Sequence, residues 1–146
     1  MIDYRSIPIV LVALAGSAGQ PAAKAATAAT GIVQMLGDAK GYREDPLNIT
    51  IKAGDAVRWV NVSGGPHNVS FWPDSIPPGT QSRLDANMPA QTAAGVAQKL
   101  GTLVGPLLVA PNDTYTISFV GVRPGVYKYY CTPHLALGMR GTVTVQ

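Results

Sequence analysis

The chain has 146 residues, 47% of them hydrophobic and 13% charged, with 16 glycines, 12 prolines and a single cysteine. This balance suits one globular domain and excludes a disordered chain, and a lone cysteine excludes an internal disulfide. The formal charge of +3, with nine basic against seven acidic residues scattered from Ala26 onward, excludes the clustered basic face that nucleic acid requires.

In chain order, Met1–Ala25 has the layout of a secretory signal. Arg5 supplies the positive start, Ile7–Gly16 an apolar run, and Ala23-Lys24-Ala25 an A-x-A cleavage pattern. The run is about half the length needed to cross a bilayer, no cysteine follows it to carry a lipid, and no arginine pair precedes it. Residues 1–25 are therefore expected to be a signal peptide and residues 26–31 a flexible Ala/Thr-rich lead-in. Residues 32–146 are expected to form the domain, with no stable membrane insertion once the signal is cleaved.

Short apolar runs separated by turn residues fill that domain. Ile32–Leu36 forms the first expected strand. Leu47, Ile49 and Ile51 alternate with polar residues, and Val57 and Trp59 share a face in the run Ala56–Val62. Asn68–Trp72 and Thr114–Phe119 follow, the latter with Tyr115, Ile117 and Phe119 turned inward. In Val126–Cys131, Tyr127, Tyr129 and Cys131 share one face while Lys128 and Tyr130 share the other, and Val143 and Val145 lie inward in the last run. About seven short strands with turns between them predict an all-β, two-sheet Greek-key sandwich. Pro77–Leu108 breaks this rhythm. Val96, Leu100 and Leu103 at helical spacing predict a short amphipathic helix within Thr92–Val104, covering an edge of the sandwich.

The chemistry is concentrated in two loops. Cys131-Thr132-Pro133-His134 continues to Met139 as C-x2-H-x4-M, and His67 lies in Gly64-Gly65-Pro66-His67-Asn68. Both histidines and the only cysteine thus fall on loops that one end of a sandwich can bring together. Two imidazoles, a thiolate and a thioether form the ligand set of a blue copper centre, with His2Cys around the metal and a weak axial Met. Structural zinc would favour more thiolates and no thioether, and no carboxylate in these motifs points to a hard cation. Cys131 with His134 as base could form a nucleophilic pair, yet the motif offers neither an orienting third group nor an oxyanion site. The residues therefore favour one copper ion and electron transfer over catalysis. A copper chaperone or store is the alternative, and a sandwich interaction domain whose His, Cys and Met coincide is a third.

The sequence at these positions resembles the plastocyanin/pseudoazurin branch of the cupredoxins. The resemblance runs from Ile32 to Gln146 and is most specific in Gly54–Asn61, Gly65–Phe71, Tyr130–His134 and Gly138–Val143. It implies a cupredoxin fold with His67, Cys131, His134 and Met139 as copper ligands. Asn68 would tie the two ligand loops and donate its backbone N–H to the Cys131 sulfur. It also implies a monomer exchanging electrons with redox proteins near His134, in the periplasm, another exported compartment, or the thylakoid lumen of a photosynthetic cell. The chain departs from that pattern in a longer Pro77–Pro111 segment, in having only Asp74 and Asp85 where plant members carry paired acidic patches, and in the bulky Leu135 and Leu137. Leu135, Ala136 and Leu137 with Pro66 and Pro133 are expected to form an apolar docking patch. The competing expectation folds the two leucines under Pro77–Leu108 as core.

Overall fold

The computed structural model describes residues 26–95 and 97–146. The expected signal peptide, residues 1–25, lies outside the described residues, as does Val96 of the expected helical stripe. Eight strands follow one another: β1 (Thr30–Asp38), β2 (Gly41–Asp45), β3 (Asn48–Ile51), β4 (Ala56–Asn61), β5 (Ser70–Phe71), β6 (Thr114–Ser118), β7 (Gly125–Tyr130) and β8 (Arg140–Val145). Among these residues a 3-10 turn (Pro73–Ser75) and one short α-helix, α1 (Gln81–Asn87), lie between β5 and β6.

The strands form two four-stranded sheets, in the orders β2-β1-β4-β6 and β3-β8-β7-β5. Each mixes parallel and antiparallel pairs: β1 runs parallel to β4, and β3 parallel to β8. The chain leaves the first sheet for the second at Asp45-Pro46-Leu47 and crosses back and forth thereafter. The inward faces are those the alternation indicates. Val57, Trp59, Tyr115, Ile117, Tyr127, Tyr129, Val143 and Val145 are buried in one core. Each large apolar side chain there contributes about 1.5–3 kcal/mol on leaving water. The rings of Trp59 and Tyr129, and of Phe119 and Tyr127, meet edge to face at centroid distances of 5.3 and 5.5 Å.

Two expectations about elements need correction. β1 begins at Thr30, two residues before the expected start, and its partner β2 carries no apolar alternation. The helix is α1, which buries Leu84, and does not lie in Thr92–Val104. The described part of that stretch forms turns and the isolated bridges Gln91–Gln98 and Gly101–Val104. Gly95 and Leu103 have φ of +69° and +59° there, values that a right-handed helix does not contain. Leu103 is 1% exposed and Leu100 57%, so they do not share an apolar face. The Asp85 carboxylate at the end of α1 holds the stretch in place by accepting from the Leu103 backbone N–H (2.6 Å) and from the Lys99 ammonium (2.5 Å).

Candidate metal centre

Three buried donor atoms converge at one end of the sandwich. Cys131 Sγ lies 3.7 Å from His67 Nδ1 and 3.5 Å from His134 Nδ1, and the two ring nitrogens are 3.2 Å apart. A point equidistant from the corners of that triangle lies about 2 Å from each, the distance at which imidazole and thiolate donors hold a transition metal. The donors therefore fit a single ion without rearrangement. Met139, also fully buried, is the fourth sequence-predicted residue at this end. Its backbone is tied into the same loop: Cys131 N–H donates to Met139 O (3.1 Å), and Met139 N–H to His134 O (3.2 Å).

The loop owes its shape to local chemistry. Pro133 favours the turn that starts after Cys131, and Thr132–Leu137 winds as tight 3-10 turns. Gly138, at φ +86°, ends them in the left-handed region that glycine adopts at little cost and sends the chain back to Met139. His67 is held from another direction. It exchanges backbone hydrogen bonds with Leu108, His67 N–H to Leu108 O (3.1 Å) and Leu108 N–H to His67 O (2.7 Å). Gly105 donates to Val69 O (2.8 Å), and a side chain there would meet that oxygen and the Tyr115 ring, so the close approach requires glycine. The end of the Pro77–Leu108 segment thus backs the first ligand loop.

Asn68 joins the two loops. Its Oδ1 accepts from the Thr132 backbone N–H (2.7 Å) while its Nδ2 donates to Gly105 O (3.2 Å). Ser70 and Thr132 hydroxyls add a second tie at 3.0 Å. The His67 Nε2–H donates to Ser63 O (2.8 Å), which leaves Nδ1 bare and facing the other donors.

Burial sets the protonation of all three groups. It pushes the Cys131 thiol up to about 11, partly offset by the backbone N–H groups of Asn68 and His134. Burial also holds His67 below the usual imidazole range, with the Ser63 bond opposing. It holds His134 below that range too, with His67 adding to the effect. Neutral imidazoles are ready ligands, whereas the thiol must release its proton when a cation binds.

Leu137 is 62% exposed, Ala136, Pro66 and Pro133 are exposed and Leu135 is half-buried, so the leucines do not fold under Pro77–Leu108 as core. His134 itself shows only 9% of its surface. Three neighbours of the site were not anticipated. Tyr42 stacks on the His134 ring, Leu108 brackets His67, and Glu44 is buried in the same sheet as Tyr42. Only the Tyr-x-Glu spacing in β2, which puts both side chains on one face, could have linked two of them.

A family profile described as copper binding proteins, plastocyanin/azurin family, matches residues 33–146. A plastocyanin of Synechococcus sp. (strain JA-2-3B'a(2-13)) is 41% identical over 120 residues, covering 82% of this chain and 76% of that protein. Among solved structures, oxidised plastocyanin from the fern Dryopteris crassirhizoma superposes with a TM-score of 0.55 at 30% identity, over 80% of this chain and 100% of that one. A pseudoazurin from Sinorhizobium gives a TM-score of 0.52 at 25% identity, over 81% of this chain and 74% of that one. With the donor triangle at one end of the sandwich and the profile matching residues 33–146, the chain belongs to the plastocyanin/azurin family of copper-binding proteins.

Proposed function

We propose that this protein is a blue copper electron carrier in which His67, Cys131 and His134 hold the ion and Met139 is the weak fourth ligand. The observation that carries this reading is the buried Nδ1–Nδ1–Sγ triangle, with sides of 3.2, 3.5 and 3.7 Å. When bound there, copper supplies one-electron chemistry between Cu(II) and Cu(I), which this mixed donor set suits. The protein's part is to keep the donors in place. Ser63 fixes the His67 tautomer, Leu108 its backbone, and Asn68 the distance between the loops, so the donors need move little when the charge changes. Burial of all three donors suits electron exchange through the protein surface rather than access by a substrate, and no catalytic role is assigned.

Redox proteins dock, in this reading, on the apolar end around His134, where Leu137 and Ala136 are exposed. The chain acts as a monomer in an exported compartment, for which the Met1–Ala25 pattern is the support. Among the described residues no helix is long and apolar enough to cross a membrane.

The test is to load the purified protein with copper, record its visible spectrum and titrate its potential. An intense blue band that bleaches reversibly on uptake of one electron is expected. Weak colour with ready loss of the metal to a chelator would instead mark a copper chaperone or store. The docking surface is tested with Leu137→Glu, which should slow electron exchange with the physiological partner while leaving the spectrum and thermal stability unchanged. Equal rates for both proteins would move the docking site elsewhere.

A further inference from the structure

The core behind the ligand loop is not wholly apolar. Glu44 pairs with Met35 across β2 and β1, and Trp59 pairs with Val33 across β4 and β1, so all four project from the same inner face of the first sheet. Tyr129 reaches them from β7 in the second sheet, its ring edge to face with Trp59. A side chain at Gly141, its partner on β8, would strike the Tyr129 hydroxyl. Both Glu44 carboxyl oxygens, the Tyr129 hydroxyl and the Trp59 indole nitrogen are buried, and none has a hydrogen-bond partner among the described residues. Groups left so are costly in a core that hydrocarbon could fill.

The cluster is coupled to the donor triangle by charge. Burial is the larger cause of the raised Tyr129 phenol and Cys131 thiol, and a negative charge on Glu44 raises both further. No hydrogen bond joins Glu44 to His67, Cys131, His134 or Met139. The titratable groups facing it are the Tyr129 phenol from β7 and Cys131 from the ligand loop. Tyr42 shares its face on β2 and carries His134 on its ring. β1, β4 and β8 present Met35, Val33, Trp59, Gly141 and Val143, and Arg43 and Asp45 take the opposite face of β2.

On the electron-carrier reading, we propose that Glu44 is a proton site linked to electron uptake and sets how the reduction potential responds to pH. One electron from a donor protein turns Cu(II) to Cu(I), and one proton from solvent joins the Glu44 carboxylate to give the neutral acid. Reoxidation releases both, so the charge of the core stays constant. Tyr129 and Trp59 supply the polar surroundings in which the ionised form can exist. The oxidised centre carries one positive charge more than the reduced one and favours the carboxylate. Losing that charge should tighten proton binding about tenfold. Cu(I) with a thiolate is as neutral as the metal-free thiol, so the reduced protein should ionise Glu44 near the metal-free value of about 8. The oxidised protein should do so about one unit lower. The potential should therefore fall as pH rises between those two values and be level outside them.

The experiment measures the potential from about pH 6 to 10 for the parent and for Glu44→Gln, an uncharged mimic of the acid. The parent's affinity for the electron should drop about tenfold across the window, while Glu44→Gln should show no step there. Infrared difference spectra of 13C-glutamate-labelled protein, taken within the window, give a second readout. A protonated carboxyl stretch should appear on reduction, move with the label and in D2O, and be missing from Glu44→Gln. In metal-free protein, 13C NMR of the same carboxyl should show its titration near pH 8 without copper. If Glu44→Gln does not fold, the labelled parent decides alone. A level parent potential, a step retained in Glu44→Gln, or no carboxyl band on reduction would overturn the inference. In a protein that is blue and reversible, those results fail this inference only. A copper-loaded protein that is colourless or does not cycle fails the electron-carrier reading, and the linkage with it.

Discussion

The Tyr42 ring lies flat on the ring of His134, with centroids 3.8 Å apart and planes within 15°. Tyr42 belongs to β2, in the opposite sheet from the strands that flank the Cys131–Met139 loop, so the stack clamps one candidate metal donor from across the sandwich. It also explains why a histidine at the protein surface shows so little of itself to water. Burial holds His134 below the usual imidazole range, so removing the cover should raise it. In metal-free protein, Tyr42→Ala should raise the His134 pKa, because the opened ring is better solvated when charged. Tyr42→Phe, which keeps the ring, should leave it in place. NMR titration of the imidazole protons reads both, and a fall in the alanine variant would contradict the account.

Glu44 sets a pH limit on stability. The residue is 3% exposed, neither carboxyl oxygen has a hydrogen-bond partner among the described residues, and burial raises its pKa to about 8 from 4.5. The folded protein therefore holds a proton that the unfolded chain gives up. Stability from this group is complete below about pH 4.5, declines as pH rises, and is lost once the folded carboxyl ionises above about pH 8. The difference amounts to at most about 5 kcal/mol. Glu44→Gln should match the parent protein in urea denaturation at acidic pH and exceed it by a few kcal/mol at about pH 9. Parallel pH profiles for the two proteins would show that Glu44 finds a partner after all.

Cys131 and Met139 should separate by their spectra. The blue band arises from thiolate-to-copper charge transfer, so Cys131→Ser should abolish it even where copper still binds. Met139→Leu should keep both copper and colour while raising the reduction potential, and Met139→Gln should lower it, as expected for a weak axial ligand. Loss of copper from both Met139 variants would make the thioether a primary ligand and the centre a different type.

Asn68→Ala should cost about 1–3 kcal/mol in thermal denaturation, because the Thr132 N–H and Gly105 carbonyl would lose their partner in a buried setting. The band should persist, since no metal donor is removed, but with an altered reduction potential as the loops separate. A variant with unchanged stability and potential would show that the Ser70–Thr132 tie alone is enough.

The sandwich and the convergence of His67, Cys131 and His134 were legible in the sequence for one reason: each depends on a local pattern. Alternation at Thr114–Phe119 and Val126–Cys131 marks the inward faces, and the scarcity of His and Cys marks the centre. β2 was not legible, because Gly-Tyr-Arg-Glu-Asp has no period of its own and becomes a strand by pairing with β1. Its two site neighbours, Tyr42 and Glu44, were hidden with it. The stretch after Thr92 misled in the opposite direction. Its apolar spacing is helical, but positive φ at Gly95 and Leu103 and the Asp85 anchor dictate turns. Leu108 could be linked to His67 only by seeing two distant segments exchange backbone bonds.

The spacing of the donors gives copper a mechanical role as well as a redox one. Cys131, His134 and Met139 lie within one loop, whereas His67 is 64 residues upstream of Cys131. An ion gripped by both is a cross-link that closes a long stretch of chain, and the grip on His67 supplies nearly all of that closure. By chain-entropy arithmetic a link of this span is worth about 4 kcal/mol against the unfolded state. Withdrawing the metal would then unstaple the two halves of the sequence and lower the melting temperature, even while every hydrogen bond around the site remained formed.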